Sequence, residues 1–462
     1  MTRKFLIRTF GCQMNEHDSE RLAGLLVADG MEPTDDLELA DVVVLNTCCI
    51  RENADNKLYG HLGQLKALRD RRPEVQIAVG GCLAQKDRHA IRERAAHVDV
   101  VFGTHNLKRA PVLLRRAAES GPVVEILDAP TSEGGPEHAA LAAVRDVPHA
   151  AWVTIQTGCD NSCAFCIVPQ VRGPEVSRPF EDVVSEVAVL ADRGVSEVTL
   201  LGQNVNSYGR DITRRRPLFA ELLRAVGALP GMRRVRFTSP HPKDLRPETI
   251  AAMAETGSVC EHLHLPLQSG SDRVLAAMRR GYTAQRYLAR LEAARAAVPD
   301  LAVTTDIIVG FPGETDEDFE RTLEIAATAE YDSAYTFVFS PRPGTRAAAL
   351  TDCFVPPDVV ADRFERLRVV VERSALARHR ARIGRVEEVL VEGPSKRDAQ
   401  VLSGRTRQNK LVHFAPSRVD GLAPGAYARV YVNGAAPHHL RGDVVEVATP
   451  ASRPTRIAVA AR

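Results

Sequence analysis

The chain has 462 residues, a formal net charge of +1 at pH 7, 44% hydrophobic residues and 26% charged residues. These are the proportions of an ordinary soluble protein with room for about three domains. No apolar run is long enough to span a bilayer and no leader opens the chain, so we expect a cytoplasmic protein with no membrane partner. Nine cysteines in so long a chain also argue against a secreted disulfide framework.

The N-terminal part alternates predicted strands and helices. Runs rich in apolar residues predict strands at 4–10, 41–45, 75–79 and 98–102, with helical stretches between them. A repeated β-α order predicts a doubly wound parallel sheet.

Three cysteines, Cys12, Cys48 and Cys82, each follow one of these predicted strands. The carboxyl ends of such strands share one edge of the sheet, so we expect the three thiols to converge there on an iron–sulfur centre. Gly11, Gly80 and Gly81 would let the backbone approach it closely, and Cys49 is expected to point elsewhere. Three unrelated buried cysteines are the alternative.

Three further cysteines, Cys159, Cys163 and Cys166, lie within eight residues in the spacing C-x3-C-x2-C. Thiolates suit zinc or an iron–sulfur cluster, but closed zinc sites need four protein ligands and no fourth Cys or His follows at finger-like spacing. A four-iron cluster held by three cysteines keeps one iron open to a substrate. This spacing, with an aromatic residue before the last Cys, is the signature of radical S-adenosylmethionine (SAM) enzymes. Zinc and buried redox thiols are the alternatives.

The central part predicts six β-α units, with strands at 151–156, 196–201, 233–238, 261–265, 301–309 and 333–339. Six units favour a partial (β/α)6 barrel, open rather than closed. Polar clusters follow four of the strands, at 202–204, 238–242, 266–270 and 310–314. Since chemistry in β/α barrels gathers at the strand carboxyl ends, we expect a pocket facing the cysteine loop. His241, between two prolines, is interpreted as a turn residue.

The C-terminal part is basic. Residues 378–447 carry 12 Lys and Arg against 7 Asp and Glu, a formal charge of +5 (12 − 7). About five short strands with glycine turns predict a small β-barrel of the oligonucleotide-binding kind. Arg405, Arg407 and Lys410 lie on a predicted basic hairpin and are expected to contact RNA, and an exposed loop without a partner is the alternative.

These segments together resemble the methylthiotransferase family of radical SAM enzymes over nearly the whole chain. The similar stretches are residues 9–15, 46–52, 80–85, 158–169, 172–173, 200–209, 265–270 and 339–345. The resemblance implies an α/β protein with a methylthiotransferase domain at 3–119, a linker at 120–144, a radical SAM core at 145–375 and an RNA-binding TRAM domain at 378–447.

The resemblance also implies two 4Fe-4S clusters and two SAM molecules per turnover. Cys159, Cys163 and Cys166 would hold the cluster that cleaves SAM. Cys12, Cys48 and Cys82 would hold an auxiliary cluster that carries the sulfur, and a second SAM would supply the methyl group. The candidates for SAM contacts are Phe165, Gln203, Gln268 and Asp306.

The implied substrate is adenosine 37 in the anticodon loop of tRNA, already carrying an N6-dimethylallyl group, which would gain a methylthio group at C2. A flavodoxin or ferredoxin as electron donor and a monomeric state are also expected. The nearest alternatives are siblings that act on threonylcarbamoyladenosine in tRNA or on an aspartate of a ribosomal protein. An RNA-binding protein with zinc in both thiol sites is an alternative of another class. In a third reading the auxiliary cluster only relays electrons.

Overall fold

The computed structural model describes residues 2–49, 52–128, 144–145, 147–416 and 421–449. The N-terminal strands are β1 (Lys4–Phe10), β2 (Glu32–Pro33), β3 (Val42–Thr47), β4 (Gln76–Gly81), β5 (Val100–Phe102) and β6 (Val123–Glu125). The helices between them are α1 (Gln13–Ala28), α2 (Glu52–Arg71), α3 (Cys82–Asp87), α4 (Ala90–Arg94) and α5 (Ala110–Ser120), with a 3-10 helix at Thr104–Arg109. The sheet is wholly parallel in the order β2-β1-β3-β4-β5-β6, which confirms the predicted doubly wound arrangement.

The N-terminal sheet is covered on both faces, as continuous apolar strands predict. Every residue of β3 and β4 is buried. One apolar cluster packs Leu58 and Leu62 of α2 against one face of the sheet, and a second packs Leu22 and Leu26 of α1 against the other. Because both faces are covered, a ligand can reach this sheet only at the ends of its strands.

The central part forms the predicted partial barrel. Its strands are β7 (Ala150–Thr154), β8 (Gln156–Thr157), β9 (Val176–Ser177), β10 (Glu197–Leu201), β11 (Arg234–Phe237), β12 (His262–His264), β13 (Ala302–Val309) and β14 (Ser333–Val338). Six of them make two parallel sheets, β11-β10-β7 and β12-β13-β14, and a single bridge between Val235 and Val259 joins their edges. β8 and β9 form a separate antiparallel ribbon beside the cysteine loop.

Helices cover the outside of this barrel: α6 (Val168–Arg172), α7 (Phe180–Asp192), α8 (Arg210–Thr213), α9 (Phe219–Gly227), α10 (Pro247–Glu255), α11 (Asp272–Ala277), α12 (Ala284–Ala297), α13 (Asp316–Ala329) and α14 (Pro357–Arg380). Short 3-10 helices lie at Val205–Ser207, Pro242–Asp244, Ala347–Ala349 and Thr351–Cys353. The alternation along β13 shows which face looks inward. Val303 and Ile307 are buried in the large apolar cluster that includes α9 and α12, whereas Thr304, Asp306 and Ile308 are half-buried and line the inner face.

The C-terminal part is a closed five-stranded barrel, as the short alternating segments predict. The strands β15 (Val386–Pro394), β16 (Leu402–Thr406), β17 (Leu411–Phe414), β18 (Tyr427–Ala436) and β19 (His439–Thr449) close in the order β15-β16-β17-β19-β18. Several strands run longer than the sequence predicts, because β18 and β19 continue across glycines with shifts of register.

The C-terminal barrel packs against one end of the partial barrel. Five core residues that bind it lie at the first residue of a core strand or within two residues before it: Ser196, Arg234, Glu261, Asp300 and Asp332. The C-terminal barrel therefore covers the end at which the core strands begin, and the cysteine loop follows the carboxyl end of β7. No helix among the described residues is long and apolar enough to cross a membrane.

Candidate iron–sulfur and substrate site

The three cysteines of the N-terminal sheet lie together at one edge. Cys12 precedes α1 after β1, Cys48 follows β3 and Cys82 opens α3 after β4, and these three strands are neighbours in the sheet. The pKa of Cys12 is lowered to about 6, chiefly by a hydrogen bond with the Cys48 thiol and also by the positive charge of Arg172. The expected convergence is therefore present, and the role of these thiols as ligands stays a prediction.

Cys49 belongs to the same group of thiols, which corrects the expectation that it points elsewhere. It is fully buried, and a hydrogen bond between the thiols of Cys49 and Cys82 lowers the pKa of Cys82 and raises the pKa of Cys49 well above its usual value. Cys49 thus stays protonated and donates to the Cys82 sulfur. The sequence offered no signal for this, because the direction of a side chain in the loop after β3 is not set by strand alternation.

The loops that carry these thiols are packed tightly around buried asparagines. Asn46 donates to the backbone carbonyl of Asn15 at 2.8 Å, and the Cys12 sulfur lies 3.4 Å from Asn15 Oδ1. Gly81 has φ +93°, and a Cβ there would lie 2.4 Å from Asn46 Oδ1. Gly81 therefore makes room for the side chain that fixes the neighbouring loop.

The second thiol group lies on the loop between β8 and α6. The backbone N–H of Cys159 donates to the carbonyl of Gly173 at 3.1 Å, and that of Asn161 donates to the Cys159 sulfur at 3.5 Å. Burial raises the pKa of Cys159 and raises that of Cys166 to about 12. Arg280, which is buried, donates from Nη1 to the Cys163 sulfur at 3.3 Å. Arg280 is a site residue that the sequence did not reveal, since it follows a short helix with no motif of its own.

Within the described ranges, no three His, Cys, Asp or Glu side chains lie close enough together to ligate a single metal ion. Thiolates that bind separate irons of a cluster are spaced more widely than the ligands of one ion. Each group offers three strand-end or loop thiols to such a cluster.

The short helix α6 connects the two thiol groups. It begins two residues after Cys166 and ends at Arg172, which is 7% exposed. Arg172 forms an ion pair with Asp18 of α1 at 2.7 Å and lies close enough to Cys12 and Cys82 to lower the pKa of both thiols. The short helix α6 therefore starts beside the cysteine loop and places the positive charge of Arg172 beside the N-terminal thiol group.

Buried polar atoms without partners gather at the carboxyl ends of the core strands. Among the described residues, the side-chain atoms of this kind that lie there include Gln156 Oε1, Gln203 Oε1, Asn206 Oδ1, His241 Nε2, Gln268 Oε1 and Glu314 Oε1. Buried polar groups in proteins nearly always have partners, so six such atoms at this end of the strands indicate a place for a bound polar ligand. Gln203 and Gln268 are two of the four predicted SAM contacts.

The other two predicted SAM contacts lie beside this region. Asp306 lines the inner face of β13 and contacts His264 Nε2 at 3.4 Å. Phe165 packs at the rim of a small apolar cluster that contains Phe311. The structure thus places all four candidates around the carboxyl ends of the strands or the cysteine loop, and their contact with SAM stays a prediction.

His241 has a defined tautomer in this region, which the interpretation as a turn residue did not anticipate. Its Nδ1 accepts a hydrogen bond from the backbone N–H of Lys243 at 3.2 Å. Burial and nearby cations, including Arg280, lower the pKa of His241 to about 2, so the ring is neutral and carries its proton on Nε2. His241 therefore presents a buried N–H donor.

The three residues predicted to contact RNA lie at or near the interface between the C-terminal barrel and the core. Lys410 is 4% exposed and forms an ion pair with Asp332, and Arg407 forms a bidentate pair with Glu261. Arg405 pairs with Glu392 of its own barrel. The geometry gives Arg407 and Lys410 a role between domains, and contact of the three residues with RNA stays a prediction.

Comparison with known proteins agrees with this division of the chain. Residues 153–326 match the model of the radical SAM superfamily, and residues 4–103 match that of uncharacterized protein family UPF0004. The chain is 52% identical to tRNA-2-methylthio-N(6)-dimethylallyladenosine synthase 1 of Mycobacterium marinum, covering 96% of this chain and 86% of the relative. It is 54% identical to the tRNA-2-methylthio-N(6)-dimethylallyladenosine synthase of Salinispora arenicola, covering 96% and 88%.

Among solved structures, the radical SAM methyltransferase TsrM of Kitasatospora setae superposes with a TM-score of 0.55 at 14% identity, over 75% of each chain. At this identity the likeness concerns the fold alone.

Proposed function

The chain belongs to the family of the tRNA-2-methylthio-N6-dimethylallyladenosine synthases within the radical SAM superfamily, and we propose that it shares their reaction on tRNA. The reaction replaces the hydrogen at C2 of N6-dimethylallyladenosine at position 37 with sulfur, and a methyl group is transferred to that sulfur. One observation carries this proposal: two groups of three thiols lie on either side of α6, next to a region of unpartnered polar atoms.

We infer two 4Fe-4S clusters, one on Cys159, Cys163 and Cys166 and an auxiliary one on the three strand-end cysteines. When bound, the clusters and two SAM molecules supply the one-electron cleavage of SAM, the hydrogen abstraction, the sulfur and the methyl group. A flavodoxin or ferredoxin is the proposed electron donor, and the proposed form is a cytoplasmic monomer whose C-terminal TRAM domain binds the RNA.

The chain's own residues bind and orient the substrates and keep water out of the site. Arg280 donates to Cys163 and offsets the negative charge that three thiolates bring to a buried site. The amide oxygens of Gln203 and Gln268 can accept hydrogen bonds from a bound amino acid or nucleoside, and His241 can donate one from Nε2. Such preorganised groups orient two substrates in one pocket without side chains that form covalent intermediates.

The proposal is tested by nucleoside analysis of bulk tRNA. A strain lacking the gene should lose 2-methylthio-N6-dimethylallyladenosine and accumulate the dimethylallyl precursor, and the gene on a plasmid should restore the product. If the product persists and another methylthio nucleoside disappears, the substrate assignment is wrong.

Iron analysis tests the cofactors separately. Anaerobic reconstitution should give about eight irons per chain for two four-iron clusters, and a Cys12→Ala, Cys48→Ala, Cys82→Ala triple variant should give about four. Zinc without iron in the wild-type chain would contradict the enzyme assignment. The triple variant should still cleave SAM yet transfer no sulfur, whereas a mere electron relay would leave slow methylthiolation when an external reductant and sulfide are supplied.

A further inference from the structure

The basic residues of the C-terminal part fall into two sets. Of the 12 Lys and Arg in residues 378–447, seven form ion pairs: Arg378, Arg382, Arg385, Arg405, Arg407, Lys410 and Arg429. Arg418 lies outside the described residues. In the part of the chain that the structure describes, Arg380, Lys396, Arg397 and Arg441 form no ion pair. The excess charge of this module is thus concentrated in a few side chains.

Two of these unpaired arginines gather around a pair of histidines. In the parallel ladder of β17 and β19, His413 pairs with Arg441, and the residues on either side, such as Val412 and Leu440, are buried inside the barrel. His413 and Arg441 therefore point outward on neighbouring strands. The rings of His413 and His439 lie 5.0 Å apart, centroid to centroid.

The loop before β16 adds further positive charge. Burial lowers the pKa of His439, and the charges of His413, Arg441 and Arg397 lower it further, which places Arg397 near the histidine pair. Lys396 is the neighbouring residue of the same exposed loop. We define the histidine face as Lys396, Arg397, His413, His439 and Arg441.

We propose that the histidine face binds the sugar–phosphate backbone and an unstacked base of the RNA substrate. Arg and Lys without protein partners are free to contact phosphates, and paired imidazole rings offer a stacking surface for a base. This inference rests on the proposed function, because it names the surface that would grip the proposed tRNA. The histidine face is separate from the hairpin of Arg407 and Lys410, whose charges are already paired with the core.

The surroundings of the histidine face favour RNA over a protein partner. Three acidic groups near the face already have partners: Asp398 accepts from the backbone N–H of Gln400, Asp443 accepts from Asn433, and Glu372 contacts His438. Tyr431, which pairs with Asp443 across the ladder, is 43% exposed. The C-terminal barrel and the cysteine loop lie at opposite ends of the core strands, so a substrate that contacts both must extend along the core, as a folded RNA can.

The test measures the affinity of the full-length protein for tRNA purified from cells that lack the gene. An Arg397→Glu, Arg441→Glu variant should bind tRNA more weakly, by roughly tenfold or more. The slope of its log affinity against log salt concentration should correspond to about two fewer phosphate contacts. A His413→Ala, His439→Ala variant should lose affinity with an unchanged salt slope, since stacking releases no counterions. SAM cleavage without RNA should match the wild type in both.

Arg429→Glu is the matched control, because Arg429 is an exposed arginine of the same barrel that already pairs with Glu446. It should bind tRNA nearly as the wild type does. Unchanged affinity in the Arg397→Glu, Arg441→Glu variant, or an equal loss in Arg429→Glu, would overturn the assignment of this face. Failure of the wild type to bind tRNA would overturn the proposed function as well.

Discussion

The two thiol groups differ in acid strength for different physical reasons. Cys12 has a pKa of about 6 because the Cys48 thiol hydrogen-bonds to it and Arg172 lies nearby. Cys166 has a pKa of about 12 because it is buried without a comparable donor. Iron binds thiolates, so the N-terminal group is prepared for metal at neutral pH, whereas the loop must be deprotonated as the metal binds.

This difference predicts a pattern of alkylation in the iron-free protein. At pH 7 Cys12 is mostly thiolate and should react with iodoacetamide roughly tenfold or more faster than Cys166. The rate at Cys12 should fall as the pH is lowered through about 6, since protonation removes the nucleophile. Peptide mass spectrometry measures both rates, with exposed Cys353 as internal reference. Equal labelling of Cys12 and Cys166 would contradict this account.

Arg280 should tune the loop cluster through its hydrogen bond to the Cys163 sulfur. Donors and positive charge near a cluster sulfur favour the reduced state, so Arg280→Met should lower the reduction potential and Arg280→Lys should lower it less. A redox titration followed by electron paramagnetic resonance measures the shift. Full iron content in Arg280→Met with an unshifted potential would show that this arginine is only structural.

At the scale of elements, the placement of α6 decides how the N-terminal sheet meets the core. Ile167 and Val171 enter the same apolar cluster as Leu83 of α3, and Arg172 forms an ion pair with Asp18 of α1. His17 of α1 also contacts Thr154, the last residue of β7, at 2.7 Å, so α1 is fixed to the strand that precedes the cysteine loop. One helical turn thus contributes an apolar face and a buried charge to the same interface.

Variants of Arg172 and Asp18 should show how much their ion pair contributes to the stability of the interface. Arg172→Met leaves Asp18 largely buried without its partner and should destabilise the interface by about 3 kcal/mol. An Arg172→Met, Asp18→Leu double variant should recover much of that loss, because neither charge is then left unpaired. Thermal unfolding of the iron-free chains measures both. A double variant no more stable than the single one would argue against the ion pair as the cause.

Elements and strand-end cysteines could be predicted from the sequence, because each depends on a local pattern. The apolar run of β3 ends at Cys48, and parallel strands share their carboxyl edge whatever else the chain does. Arg172 and Arg280 could not be placed, because their partners lie more than a hundred residues away in sequence. The ion-pair partners of Arg407 and Lys410 could not be predicted for the same reason: basic residues indicate a charge but not the carboxylates that neutralise it.

At the scale of the whole molecule, the C-terminal barrel contributes to the stability of the core, beside its proposed role in binding RNA. Arg234 is fully buried and donates to the carbonyl of Arg405 and to Glu388 across the interface. Lys410 and Asp332 are 4% and 6% exposed. Charges buried this deeply are tolerated only while they remain paired, so the start of the core strands depends on the barrel.

A Lys410→Met variant should therefore destabilise the chain although it leaves the site untouched. It leaves the buried carboxylate of Asp332 without its ion-pair partner. The free energy of unfolding should fall by about 3 kcal/mol, which a lower melting temperature of the core would show. Arg429→Ala, which breaks an ion pair exposed by about half on both sides, should cost less than about 1 kcal/mol. If Lys410→Met and Arg429→Ala have the same melting temperature, the C-terminal barrel does not stabilise the core. If Lys410→Met has the lower melting temperature yet keeps its affinity for tRNA, one face of the barrel packs on the core and a different face binds RNA.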